Sequence, residues 1–170
     1  MNKTVRVALV ALLCVGAAAC TKKQEVKPQQ PAAEPAAAQT QAPVSNGKYT
    51  PADLTTDACL RQRIVYFDFN KTEIKPEFQQ IMACHAKYLQ DRPTAQMRLE
   101  GNTDERGTRE YNLGLGERRG NAVSSALQAD GASASQISVV SYGKEKPVCR
   151  EHNEDCWSKN RRVEIVYTAE

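Results

Sequence analysis

The chain has 170 residues, 23 basic and 20 acidic side chains and a formal charge of +3, enough for one domain with extensions. Five of the basic and two of the acidic residues precede Val44, which leaves 18 of each sign from Val44 to Glu170. A neutral domain argues against nucleic acid as the partner, which would call for a basic face rather than a balanced surface.

Residues 1–19 begin with Lys3 and Arg6 and continue in an apolar run from Val7 to Ala19. Such a run of about thirteen residues is too short for a spanning helix, which needs about 20, and suits the core of a secretory signal. Ala17, Ala18 and Ala19 before Cys20 resemble the bacterial lipobox, in which the chain is cut before a lipidated cysteine, with Ala17 in place of the usual leucine. Cys14 fits less well, because Leu13 is large for the residue before a cut. The alternative is an ordinary secreted protein with a chance cysteine. Several acyl chains on Cys20, at about 0.8 kcal/mol per buried methylene, would hold the mature N-terminus in a bilayer. Thr21, where an aspartate would signal retention, points to the outer membrane by the rule of enteric bacteria.

Residues 20–47 form the expected tether. From Thr21 to about Asn46 the chain is rich in Ala, Pro and Gln, with no aromatic residue and no apolar period. It cannot bury enough surface to offset its conformational entropy, so disorder is expected. About 26 residues span about 80 Å extended at about 3.1 Å per residue, or about 30 Å as a coil.

The domain is expected over residues 48–170. Tyr49 to Leu60 reads as a lead-in with a short helical turn. Ile64 to Phe69 is β-branched and aromatic, a first strand. Pro76, Phe78, Ile81, Met82, His85 and Leu89 follow helical spacing, with proline at the entrance and Asp91-Arg92-Pro93 at the exit. Gln96 to Gly101 is the second strand, and a helix from about Arg109 to Leu127 stops at Asp130-Gly131. Its Gly114, Gly116 and Gly120 each cost about 1 kcal/mol relative to alanine, which asks for compensation by close packing on the sheet or by close approach of a ligand. Ile137 to Tyr142 and Arg162 to Tyr167 are the remaining strands, with a helical turn at Asp155 to Lys159 between them. Alternating strands and helices imply an α/β domain with parallel neighbours joined by right-handed crossovers.

Charge, glycine and helical spacing coincide in Leu99 to Val123. Asp104 lies in the loop after the second strand, and Asn112, Leu115 and Arg119 fall at i, i+3 and i+7 on one face of the helix. One acid and one base can thus look into one crevice. Either they pair with each other or face water, or they recognise a zwitterion, the aspartate taking an ammonium and the planar guanidinium forking a carboxylate.

The run Asn102-Thr103-Asp104-Glu105-Arg106-Gly107-Thr108-Arg109-Glu110-Tyr111-Asn112, followed by Leu115, Arg118 and Arg119, resembles the signature of the OmpA-like peptidoglycan-binding domain. It is most similar to the version in the peptidoglycan-associated lipoprotein (Pal) family of Gram-negative bacteria. Val65-Tyr66-Phe67-Asp68-Phe69, Ser141-Tyr142-Gly143, Lys146-Pro147 and Asn160-Arg161-Arg162-Val163-Glu164 extend the likeness from about Ile64 to Tyr167. It implies a β-α-β-α-β-β (α+β) domain, a mixed four-stranded sheet covered by helices on one face.

The resemblance implies a ligand, the zwitterionic side-chain end of meso-diaminopimelate in the peptidoglycan stem peptide. Asp104 then matches the residue that receives the ammonium and Arg119 the one that clamps the carboxylate. Phe69, Asn70 and Leu115 match lining positions. Thr103 and Asn112 match loop-shaping positions, and Asn160 and Arg161 match a motif near the pocket. Asn70 stands where relatives often have aspartate, and Asn102 where histidine is common. Truncating Asp104 or Arg119 is expected to abolish wall binding without unfolding. The family also implies TolB and other Tol proteins as partners, and no cofactor.

With Cys20 lipidated, Cys59, Cys84, Cys149 and Cys156 remain, an even number suited to two disulfides in an oxidising compartment. Of three possible connectivities, locality favours Cys149–Cys156 and Cys59–Cys84, and related domains carry a disulfide in the first of these regions. Cys149, His152 and Cys156 lack a standard zinc spacing and a fourth ligand, and Cys84 and His85 are adjacent on a helix and point apart. A dinucleotide site at Gly114, Gly116 and Gly120 is rejected, since they lie within the helix.

The leading expectation is a non-enzymatic outer-membrane lipoprotein whose periplasmic domain tethers the membrane to the wall within the Tol–Pal system. The alternatives are an OmpA-like lipoprotein outside that system, and a wall hydrolase using Asp104 and Glu105, with Glu100 or Glu110 as further carboxylates.

Overall fold

A computed structural model describes residues 47–170. The signal sequence 1–19, the lipidation site Cys20 and the tether up to residue 46 lie outside the described residues. The elements are α1 (Asp53–Thr56), β1 (Ile64–Tyr66), a 3₁₀ turn (Pro76–Phe78), α2 (Gln79–Asp91), β2 (Gln96–Asn102), α3 (Arg109–Ala129), a second 3₁₀ turn (Ala134–Gln136), β3 (Ile137–Gly143), α4 (Glu154–Asn160) and β4 (Arg162–Ala169).

The four strands form one mixed sheet in the order β1-β4-β2-β3. β2 and β3 are parallel, with α3 as their crossover, whereas β4 runs antiparallel to both β1 and β2. Parallel neighbours, expected from the alternation of strands and helices, therefore hold for β2 and β3 alone. β4 separates β1 from β2, and nothing in local sequence encodes that insertion.

β1 is shorter than the expected Ile64–Phe69. Phe67 adds one more main-chain bond, to Arg161 O at 2.9 Å, and the chain then turns, with Lys71 N donating to Asp68 O and Asn70 at φ +56°. Asparagine tolerates that left-handed conformation better than most residues, so Phe69 and Asn70 leave the sheet and face a crevice instead.

The core lies between the sheet and the two long helices. Val65, Met97, Leu99, Val163 and Ile165 from the strands, with Phe67 just past β1, meet Ile81, Met82, Ala86 and Leu89 of α2 and Val123 and Leu127 of α3, all nearly or fully buried. α3 starts at Thr108, whose side chain accepts from Tyr111 N, a standard N-cap. It lies unusually close to the sheet. A Cβ on Gly101 would sit 2.0 Å from Gly116 O, and one on Gly120 would sit 2.5 Å from Val139 Cγ1. Gly116 and Gly120 are thus compensated by packing. Gly114 meets only the flexible end of Arg118, so neither account applies to it.

Both disulfides pair as locality suggests. Cys59–Cys84 fastens the lead-in to α2, and Cys149–Cys156 closes the loop before α4. Entropic models assign a loop of 25 residues about 3 to 4 kcal/mol.

His85 is fully buried on the core side of α2, with Nε2 3.0 Å from Gln62 O and Nδ1 2.8 Å from the Tyr167 hydroxyl. A carbonyl only accepts, so Nε2 carries the proton and Nδ1 accepts from Tyr167. Burial, reinforced by the charge of Arg63, pushes its pKa down to about 4.

Two outcomes are expected. Gly101→Ala should lower stability by at least about 2 kcal/mol, because backbone must move to admit the methyl, while Gly114→Ala should raise it by up to about 1 kcal/mol; urea denaturation distinguishes them. The unfolded His85 titrates near 6.5 and the folded one near 4, so its contribution is complete above pH 6.5 and drains as pH falls toward 4. Unfolding free energy followed from pH 7 to 4.5 should decline by up to about 1.4 kcal/mol per pH unit, a slope that His85→Gln removes.

Candidate functional site

The crevice lies where three pieces of chain meet: the turn after β1, the loop between β2 and α3, and the first half of α3. It encloses about 170 Å³. Its walls include the expected Phe69, Asn70, Asp104, Leu115 and Arg119, with Thr103 and Asn112, and they add Arg106, Gly107 and Tyr111. One acid and one base do look into a common space, as their spacing suggested. They do not pair with each other.

Arg119 is fully buried at the floor. Its Nε donates to Lys71 O at 2.9 Å, Nη1 to Asn102 O at 3.1 Å and Nη2 to Asp68 O at 3.0 Å. A guanidinium has five N–H groups, so two remain for a ligand. Among the described residues no carboxylate lies within 4 Å of it. Burial, then the nearby charge of Arg161, lowers its pKa to about 10, which leaves it cationic at neutral pH.

Asp104 is also buried, yet fully engaged. Oδ1 accepts from the Arg106 main-chain N at 3.1 Å and from Arg106 Nε at 3.2 Å; Oδ2 accepts from Arg106 Nη2 at 2.6 Å and Arg161 Nη1 at 3.3 Å. Burial pushes its carboxyl up, but the bonds and charge of Arg106, helped by Arg161, outweigh that and hold it below the ordinary value. Arg161 stands behind Asp104, its Nε on Phe67 O at 3.0 Å and its Nη2 on Glu154 at 2.5 Å.

The other expected residues fall into structural roles. Asn112 Nδ2 donates to Arg106 O and Thr108 O, which shapes the loop. Thr103 fixes the loop base, its main-chain N donating to Gly143 O at 2.8 Å and its Oγ1 to Asp104 O at 3.0 Å. Asn160 lies outside the crevice. Its Oδ1 accepts from Val148 N and Cys149 N and its Nδ2 donates to Cys149 O, so it pins the disulfide loop. Asn70 accepts from the Tyr111 hydroxyl, a strap from the turn to α3. An aspartate there could accept the same bond, so the substitution keeps the strap and removes only the charge.

Arg106 and Trp157 escape sequence reasoning. The Arg106 guanidinium carbon lies 3.9 Å from the Phe69 ring centre and 4.1 Å from that of Trp157, between the two rings. Its one sequence signal is its place two residues after Asp104. Glu105 points the other way, into a neighbouring cavity of about 280 Å³, where it accepts from His152 Nδ1 and Trp157 Nε1, each at 2.7 Å. The hydrolase pair therefore has no geometry to work with, since Asp104 is neutralised by arginines and Glu105 faces a different space.

A model of the OmpA family matches residues 66–161. The chain belongs to the OmpA family. The peptidoglycan-associated lipoprotein of Haemophilus influenzae is 44% identical over 167 residues, covering 98% of this chain and 100% of that protein. The peptidoglycan-associated lipoprotein of Pseudomonas aeruginosa is 44% identical over 122 residues, 71% of this chain and 72% of that one. Among solved structures, the peptidoglycan-associated lipoprotein from Burkholderia pseudomallei matches with a TM-score of 0.66 and 43% identity, over 68% of this chain and 98% of that chain. The C-terminal domain of Helicobacter pylori MotB shares the OmpA fold at a TM-score of 0.58 and 24% identity, over 63% of this chain and 84% of its own. The matched span contains the whole crevice, from Phe69 to Arg119.

The bonds of Arg119 alter one expectation. Arg119→Ala should cost about 3 kcal/mol or more, because it leaves a cavity and three main-chain carbonyls without their donor. Asp104→Asn, which keeps an acceptor, should cost less. Chemical denaturation of both variants checks the order.

Proposed function

We propose that the crevice receives the zwitterionic side-chain end of meso-diaminopimelate in peptidoglycan stem peptides, and that the protein is a non-enzymatic tether between outer membrane and wall. The observation that carries this reading is Arg119: a buried guanidinium with two N–H groups to spare and, among the described residues, no carboxylate of its own, at the floor of a space the size of an amino-acid end. A carboxylate entering there forms two charge-assisted bonds. Asp104, on the same crevice wall, supplies the negative charge for the ammonium, and Phe69 and Leu115 offer apolar cover for the methylene chain.

The names of the relatives from Haemophilus influenzae, Pseudomonas aeruginosa and Burkholderia pseudomallei support both halves of this proposal, the wall and the lipid. Cys20 is the residue proposed to carry the lipid, and the segment after it gives the domain reach from the membrane to the polymer. TolB and other Tol proteins belong to the proposal as partners, which co-purification tests.

Charge-assisted bonds at about 1.5 to 3 kcal/mol each, less ordering costs, give a dissociation constant on the order of micromolar for one site. Many anchored copies facing a repeating polymer gain avidity from there. Calorimetric titration with a diaminopimelate muropeptide and its lysine counterpart, which lacks the terminal carboxylate, tests the assignment. The lysine form should bind at least about tenfold more weakly; equal affinities would remove Arg119 from the account. Purified sacculi should sediment with the protein and release no soluble fragments.

A further inference from the structure

Three arginines surround Asp104, and two of them are fixed in place. Arg119 and Arg161 are buried, and both donate to main-chain carbonyls, Arg119 to three and Arg161 through Nε to Phe67. Arg106 differs. Its guanidinium donates to no main-chain carbonyl among the described residues, and its side chain is 31% exposed. Asp104, the faces of Phe69 and Trp157 and a longer ion pair with Glu154 hold it.

A carboxylate offers about four lone-pair sites, and all four of Asp104 are taken, three by Arg106 and one by Arg161. An arriving ammonium finds no acceptor open. We propose that the Arg106 side chain is a built-in stand-in for the ligand's ammonium, a plug that must leave Asp104 before the ligand can seat. This rests on reading the crevice as the zwitterion site. A second acceptor for the displaced guanidinium is already at hand, since Glu154 Oε2 lies 3.7 Å from Arg106 Nη2 and its side chain is 61% exposed. Arg106 can thus exchange one carboxylate for another without losing its charge partner.

The plug also acts as a selectivity filter. A group bearing only a carboxylate can reach Arg119 but cannot compete for Asp104, and a group bearing only an ammonium gains nothing from Arg119. A ligand with both charges meets both conditions, so displacement of Arg106 is coupled to recognition of the pair.

The test uses the purified protein, a diaminopimelate muropeptide as probe, and Trp157, the chain's one tryptophan, as reporter. Arg106→Gln should bind about tenfold more tightly, the worth of roughly one charge-assisted contact that no longer has to be broken, and should associate faster. Arg106→Lys, which keeps the charge but not the fork or the flat stacking, should fall between Gln and wild type, and it carries the test if the Gln variant does not fold. In the wild type, saturation should change Trp157 emission as the cation leaves the indole face; in Arg106→Gln that change should be absent. Weaker binding by both Arg106 variants, or unchanged Trp157 emission in the saturated wild type, overturns the plug. Wild-type affinity in Asp104→Asn overturns the crevice assignment and the plug together, whereas a loss of binding there beside weakened Arg106 variants overturns the plug alone.

Discussion

The donation of one buried guanidinium to three main-chain carbonyls holds the upper end of this domain together. Arg119 sits on α3, and its acceptors come from the turn after β1, at Asp68 and Lys71, and from the end of β2, at Asn102. Those three segments are the walls of the crevice. The residue best placed to meet an anion is therefore also the residue that shapes the space the anion would enter. Backbone carbonyls suit this purpose, because they carry no formal charge and leave the cation uncompensated. Had a carboxylate held Arg119, the site would be neutral and structural only.

A second constraint keeps the walls in register. α3 approaches β2 and β3 so closely that Gly101 and Gly116 meet backbone to backbone, and Ser141 Oγ donates to Leu113 O at 2.6 Å. The loop carrying Asp104 is therefore anchored at both ends, by Thr103 on Gly143 at one and by the Thr108 cap at the other. Within it Arg161 braces the carboxylate from behind. Preorganisation of this kind lowers the ordering cost of binding, which matters when one site makes only a few contacts.

Much of this was legible beforehand, and the parts that were not have physical reasons. The i, i+3, i+7 spacing of Asn112, Leu115 and Arg119 put them on one face, and the structure gathers all three in the crevice wall. Helical periodicity was weaker for α3 as a whole, because its buried stripe contains asparagine, glycine and arginine where a core helix usually has leucine. The three acceptors of Arg119 are main-chain atoms, which leave no residue-type signal. Arg106 could not be told from its neighbours Arg109 and Arg118, since its distinction comes from two rings, one of them 51 residues away in sequence at Trp157. His85 fitted the apolar face of α2, but its partners, Gln62 O and the Tyr167 hydroxyl, depend on where β4 lies.

The position of β4 has a consequence for how such a domain comes into being. The fourth strand in chain order is an inner strand of the sheet, flanked by β1 on one side and β2 on the other. A polypeptide delivered end first, from a ribosome or through a pore, can form α2, α3 and the β2–β3 pair, but β1 has no neighbour until β4 emerges. Two of the sheet's three strand pairings thus wait on distant sequence, which slows acquisition of the native state. Until then β1 and one edge of β2 stay unpaired.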